Sequence, residues 1–227
     1  VFTDVAALAP VVAYDRAGNG ESADDGQPPT PQHVARRLHA LLAEAGARPP
    51  YVLVGHSWGG PLITMFQSLY PGEVAGLVYV DPTWPWSEAE ERSYSLAKGY
   101  KPDDLPGLRQ KRRDRLTDPN PEMQVVLAQE TSFFANFQPI PPPRVPVAVL
   151  LAAKFDPTVW ADQPCEPRAC QDLFIEFRRT WLTRMTRGNP QSFLTVTDAS
   201  SHFMPRDAPE LVVSSIRRIL TSAQTAQ

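Results

Sequence analysis

The sequence predicts an α/β fold: a mostly parallel sheet with helices on both faces and a helical cap inserted between strands. Two observations predict it. The runs Tyr51 to Val54, Val74 to Val80 and Val145 to Ala152 are strand-sized, and they are continuously apolar apart from Gly76 and Pro146 rather than alternating with polar residues. That pattern belongs to strands covered on both faces. Segments with apolar residues at helical spacing follow the first of these strands and precede and follow the others, which makes the sheet parallel.

Each element has its own justification. Val11-Val12-Ala13-Tyr14 reads as a short strand entering a turn that carries Gly18 and Gly20. Thr30 followed by Pro31 supplies an N-cap and a preset first helical residue. Val34, Leu38, Leu41, Leu42 and Ala45 then form one helix face, and Gly46 stops it. After the strand at Tyr51, Leu62, Met65, Phe66 and Leu69 give a helix that ends at Pro71. A further helix is expected over Gln171 to Met185, and Phe193 to Val196 is the final strand. Asp207-Ala208-Pro209-Glu210 reads as a capping box opening a last helix, whose apolar face is Leu211, Val212, Ile216, Ile219 and Leu220.

About sixty residues separate the strand ending at Val80 from the one at Val145, far more than a plain connection requires. This stretch holds Trp84, Trp86, a charge-dense helical segment around Glu88 to Arg92, the basic run Arg109 to Arg115, and Phe133, Phe134 and Phe137. We divide the chain into a first core part (1–81), a cap (82–143) and a second core part (144–227).

Composition bounds the function. The chain has 227 residues, 42% of them hydrophobic and 21% charged, enough for one domain with a proper core and an appended subdomain. Its 22 basic and 25 acidic residues give a net charge of −3, so a nucleic-acid partner is not expected. The 25 prolines, about twice the usual ~5%, cluster between the periodic segments and stiffen loops. No apolar run approaches the ~20 residues of a membrane span, and Val1 to Pro10 lacks the basic start of a signal peptide. A chain that opens on Val rather than Met is expected to have lost its true beginning, which leaves the choice between cytoplasm and secretion open. Cys165 and Cys170 are either free thiols or a disulfide, the latter implying an oxidising compartment. A metal is not expected, because two cysteines without a nearby histidine pair cannot complete a four-ligand shell.

Gly55-His56-Ser57-Trp58-Gly59, between a strand and a helix, is the most informative motif. A serine at the tip of so sharp a turn is strained, and small residues two positions to either side relieve the clashes. The turn sets Ser57 at a helix N-terminus, where the Trp58 backbone N–H is the natural oxyanion donor. A serine nucleophile needs a base. Of the four histidines, His56 adjoins the nucleophile and is expected to point elsewhere, and His33 and His39 suit packing or solvated roles on their helix. His202 lies in a loop after the last strand, at the sheet edge where every parallel strand ends. The acid that orients the imidazole is expected at Asp156, with Asp81 as the alternative; Asp162 and Asp198 are weaker candidates. Each Asp-Pro pair also suits an ordinary turn.

With these residues in hand, the chain resembles the α/β-hydrolase superfamily, in its branch of small capped esterase-like enzymes. The stretch Tyr14 to Ser22 looks like the family's turn after its fourth strand, Gly55 to Gly60 like its nucleophile elbow, and the His202 loop like its base. The resemblance implies a Ser-His-Asp triad that works without a cofactor through an acyl-enzyme. In most members the acid follows the seventh strand, matching Asp156; in some it follows the sixth, matching Asp81. The chain departs from the family in three ways. Ser201 stands where a glycine usually precedes the base, and the stretch from Asp156 to His202 is long. Only 14 residues precede Asp15, where the family places three strands and the loop giving a second oxyanion N–H.

The expected function is a carboxylesterase-like serine hydrolase acting on a small or medium, apolar carboxylic ester. The alternatives are a slow or non-catalytic ligand-binding protein of the same fold, and a hydrolase of peptide, lactone or C–C bonds.

Overall fold

The computed structural model describes residues 1–83, 88–99, 143–160 and 165–225. Four strands, β1 (Tyr51–His56), β2 (Val74–Val80), β3 (Val147–Ala152) and β4 (Phe193–Thr197), pair side by side in chain order, every pair parallel. Their C-terminal ends therefore share one edge, because His56 lies beside Val80 and Ala152 beside Thr197.

Alternate strand residues feed two cores, as the pleat dictates. Leu77, Tyr79, Val147, Val149 and Leu151 face one side, with Ile63 and Phe66 of α3 (Gly59–Leu69), Ala35 and Leu42 of α2 (Pro31–Glu44), and Phe177 of the helix Pro167–Leu182. Val78, Val80, Ala148 and Leu150 face the other, against Val5 of α1 (Phe2–Ala6), Met204 and the helix Pro209–Thr225. Each such aliphatic side chain, once fully buried, contributes about 1.5–3 kcal/mol before ordering entropy is charged against it. This two-sided burial explains why β2 and β3 read as unbroken apolar runs, whereas the outer strands β1 and β4 leave Val54 and Val196 exposed.

The remaining helices are α4 (Glu88–Ala97), α5 (Pro157–Trp160), α6 (Pro167–Leu182), α7 (Met204–Asp207) and α8 (Pro209–Thr225). Thr30 caps α2, accepting a hydrogen bond from the His33 N–H at 3.2 Å. Glu166 caps α6, which begins four residues before the expected start. Cys165 and Cys170 form a disulfide across the first turn of α6.

Two local expectations are corrected. Val11 to Tyr14 is irregular backbone, since an extended segment becomes a strand only with a ladder partner and β1 pairs with β2 alone among the described residues. Asp207 is not the cap of α8: it closes α7, and its carboxylate turns back to the loop before it, accepting from the Ser201 N–H at 3.1 Å and from the Ser201 hydroxyl. Of the segment expected to form a cap, only Pro82, Thr83, residues 88–99 and Pro143 belong to the described set; Trp84, Trp86, the basic run and Phe133, Phe134 and Phe137 lie outside it, as does Asp162.

Candidate active site

Ser57 stands between β1 and α3 with a φ of 52°, the left-handed region that few side-chain-bearing residues occupy. Its backbone is held on both sides. The Ser57 N–H donates to the Val80 carbonyl at 3.0 Å, while its own carbonyl accepts from Gly60 and Thr83 at 3.0 and 2.9 Å. A Cβ at Gly55 would run into the Gly59 carbonyl, so a bare residue two before the serine is required. Two after it the space is open; the second tight position is Gly60, where a Cβ would meet Pro82. The Trp58 side chain is buried with Val34 and Leu62 and anchors the start of α3.

His202 is delivered by the loop between β4 and α7. Its Nε2 lies 3.0 Å from Ser57 Oγ and its Nδ1 lies 2.6 Å from Asp81 Oδ2. The imidazole is 45% exposed and Asp81 is buried, so an accessible imidazole rests on an inaccessible carboxylate. Asp156, the favoured acid in the sequence, is exposed, and its carboxylate accepts from the Thr158 N–H at 2.9 Å and the Thr158 hydroxyl at 2.6 Å. The reason is position. Asp156 lies four residues beyond the end of β3 and caps the start of α5, whereas Asp81 follows β2 directly.

Asp81 also sits at positive φ, 40°. Its N–H donates to the Leu150 carbonyl at 2.8 Å, and its Oδ1 accepts from the Ala152 N–H and from Arg178 of α6, both at 3.0 Å. Burial alone would raise the pKa of this carboxyl. The Arg178 guanidinium, the His202 hydrogen bond and the Ala152 N–H outweigh that effect and hold it below the ordinary carboxylate value. Nothing in the sequence pattern singled out Arg178, which is one of several charged residues along α6.

His56 does not point away. Its Nε2 donates to the His202 carbonyl at 2.7 Å, and the two imidazoles stand 4.7 Å apart. Burial pushes its pKa below the ordinary value, against the pull of that hydrogen bond. A neutral His56 thus grips the base loop from the elbow. The other two histidines face carboxylates elsewhere, His33 bonding Asp25 at 2.8 Å and His39 bonding Glu73 at 3.0 Å. Asp198 is exposed. A cavity of about 410 Å³ opens between α4 and α6, beside Tyr94, Phe177 and Trp181; none of Ser57, Asp81 and His202 lines it.

Chemically, the arrangement suits proton transfer away from a hydroxyl. With the proton on Nδ1 directed at Asp81, Nε2 presents a lone pair to the Ser57 hydroxyl. Residues 2–215 match the model of the Alpha/beta hydrolase family. The chain belongs to that family. Over 72 residues it is 32% identical to the uncharacterized protein YqjL of Bacillus subtilis, a match covering 32% of this chain and 28% of that protein. Among solved structures it is similar to a thermophilic esterase from Thermogutta terrifontis, with a TM-score of 0.54, 21% identity, and coverage of 92% of this chain and 78% of that one. It is also similar to the proline iminopeptidase of Mycobacterium smegmatis, with a TM-score of 0.54, 19% identity, and coverage of 100% and 86%. At these identities the structural likenesses show the shared α/β-hydrolase fold. Among the described residues of this hydrolase-family chain, no helix is long and apolar enough to cross a membrane, and no cluster of three or more His, Cys, Asp or Glu side chains could hold a metal ion.

Proposed function

We propose that this chain is a serine hydrolase that cleaves a small or medium, apolar carboxylic ester through an acyl-enzyme, with Ser57 as nucleophile, His202 as general base and Asp81 as the acid. The observation that carries the reading is the continuous run of contacts from Ser57 Oγ through the His202 imidazole to Asp81 Oδ2, at 3.0 and 2.6 Å.

In the first half-reaction Ser57 Oγ forms a bond to the ester carbonyl carbon as its proton passes to His202 Nε2. The carbonyl oxygen becomes an oxyanion beside the Trp58 N–H at the start of α3, where the helix dipole favours negative charge. Collapse of the tetrahedral species breaks the bond to the alkoxy oxygen, which leaves as the alcohol carrying the proton from Nε2. Water then repeats the sequence on the acyl-enzyme, giving its proton to His202, and the carboxylic acid leaves as Ser57 regains its own. Asp81 keeps Nδ1 protonated and its negative charge offsets the imidazolium in both halves.

Labelling by a fluorophosphonate probe tests the nucleophile. Wild type is expected to be labelled at Ser57 and to hydrolyse p-nitrophenyl butyrate, with Ser57→Ala unlabelled and slower by about 10⁴-fold or more. Absence of labelling, together with equal ester hydrolysis by the two proteins, would overturn the proposal.

A further inference from the structure

Ser-His-Asp chemistry by itself makes no demand for a second cation behind the acid, yet one is buried there. The Arg178 side chain is 9% exposed, and its terminal nitrogens fork: one donates to Asp81 Oδ1 and the other to the Pro82 carbonyl, each at 3.0 Å. With Ala152 also donating to Oδ1, the free edge of the carboxylate is Oδ2, the atom His202 uses. The depth of Arg178 is itself fixed. At its N-terminal end α6 carries the Cys165–Cys170 disulfide and a hydrogen bond from Gln171 to the Ala153 carbonyl at 2.9 Å. A buried cation is costly to keep, and an apolar side chain of similar volume could fill the same space.

We propose that Arg178 is a positioning residue for the Asp81–His202 couple: it sets the rotation of the carboxylate so that Oδ2 meets the imidazole, and balances its charge so that the couple releases its extra proton readily. This rests on the assignment of Ser57, His202 and Asp81 as the triad. Groups in such close contact titrate as one unit. A fixed cation beside the carboxylate favours the form with one proton fewer, in which Nε2 has a lone pair to offer Ser57. Remove the cation and the couple keeps its extra proton to higher pH, wherever in the couple that proton resides. Other ionisable groups lie near the couple. His56 approaches from the end of β1, and Asp207, paired with Arg206, holds the Ser201 N–H next to His202.

The test is the pH profile of kcat/KM on p-nitrophenyl butyrate for wild type, Arg178→Met and Arg178→Lys, repeated in a His56→Gln background to separate that group's titration. In Arg178→Met the acid limb is expected to move up by about one to two pH units. Activity on that limb then falls by about 10- to 100-fold and recovers at high pH. Arg178→Lys keeps the charge and loses the fork, so its limb stays in place while kcat falls by about tenfold. A loss in Arg178→Met that is uniform across pH, or no loss, overturns the inference while leaving the triad standing. Inert wild type, unlabelled by fluorophosphonate, overturns both. Should Arg178→Met fail to fold, an unchanged kcat in Arg178→Lys overturns the positioning role.

Discussion

Asp81→Asn against Asp156→Asn separates the two carboxylates that follow neighbouring strands. At position 81 the replacement is isosteric, and its amide oxygen will turn toward Arg178 and the Ala152 N–H, which can only donate. The NH₂ group then faces His202 Nδ1, which must accept, so the imidazole proton moves to Nε2 and the lone pair needed by Ser57 is gone. In a triad this wrong tautomer costs about 10⁴ in kcat, equivalent to about 5.4 kcal/mol at 1.36 kcal/mol per decade. The fold pays separately. Arg178 loses its counter-charge in a buried setting, and breaking such a pair costs about 3–5 kcal/mol. At about 2–4 °C per kcal/mol for a chain of this size, the melting temperature should drop by roughly 6–20 °C. Asp156→Asn changes an exposed residue whose N-capping role asparagine performs as well. Its rate should stay within about twofold and its melting temperature within about two degrees. Steady-state hydrolysis of p-nitrophenyl butyrate with parallel thermal melts measures all four quantities. A loss of about 10³ or more in Asp156→Asn, with Asp81→Asn near wild type, would refute the assignment of the acid.

The elbow makes a second contrast: Gly55→Ala drives a Cβ into the Gly59 carbonyl and should lose about 1–3 kcal/mol of stability along with ester hydrolysis. Gly59→Ala points into open space and should melt and turn over like wild type; equal damage from the two would show that the turn is not built as described. In the base loop, hydrogen bonds from the Ser201 hydroxyl and then from Arg206 hold Asp207 down at about 2, against an unfolded value of about 3.9. A depressed carboxylate stabilises above its unfolded pKa and ceases to do so as pH falls through the folded one. The melting temperature of wild type should therefore drop between about pH 4 and pH 2 more than that of Asp207→Asn, and equal slopes would show that this contact does not brace the folded loop.

The fold was legible because burial on both faces writes itself into sequence as unbroken apolar runs, and β2 begins and ends where its run does, at Val74 and Val80. The turn at Ser57 and the placing of His202 beside it were legible because each has a local signature: a serine among glycines between strand and helix, and a histidine after the last strand. The acid was not. Asp81-Pro82 and Asp156-Pro157 look alike along the chain, and what separates them is tertiary: the Ala152 N–H and an arginine 97 residues away on another helix. The contacts of His56 and Asp207 were hidden for the same reason: His56 holds the backbone carbonyl of His202, and Asp207 holds the N–H and hydroxyl of Ser201, partners that the sequence does not pair with them. Val11 to Tyr14 shows the converse case, a segment of strong β preference that joins no strand ladder among the described residues.

Ser57 and Asp81 are the two non-glycine residues at positive φ among those described, and they close adjacent parallel strands. Such backbones cost about 1–3 kcal/mol each and persist where surrounding contacts over-determine them. Here the contacts interlock: Ser57 donates to the last residue of β2, Thr83 donates back to Ser57, and Asp81 donates across to β3. Strand spacing of about 4.8 Å thus sets the proposed nucleophile and acid one step apart at the sheet edge. His202, the proposed base, arrives on a loop and is held there by separate contacts, His56 on its carbonyl and Asp207 on the residue before it. Substitutions that disturb the backbone at Ser57 and Asp81 should therefore lower stability and rate together, whereas shortening the His56 side chain should act on the rate first, because it releases the His202 carbonyl while leaving the sheet edge intact.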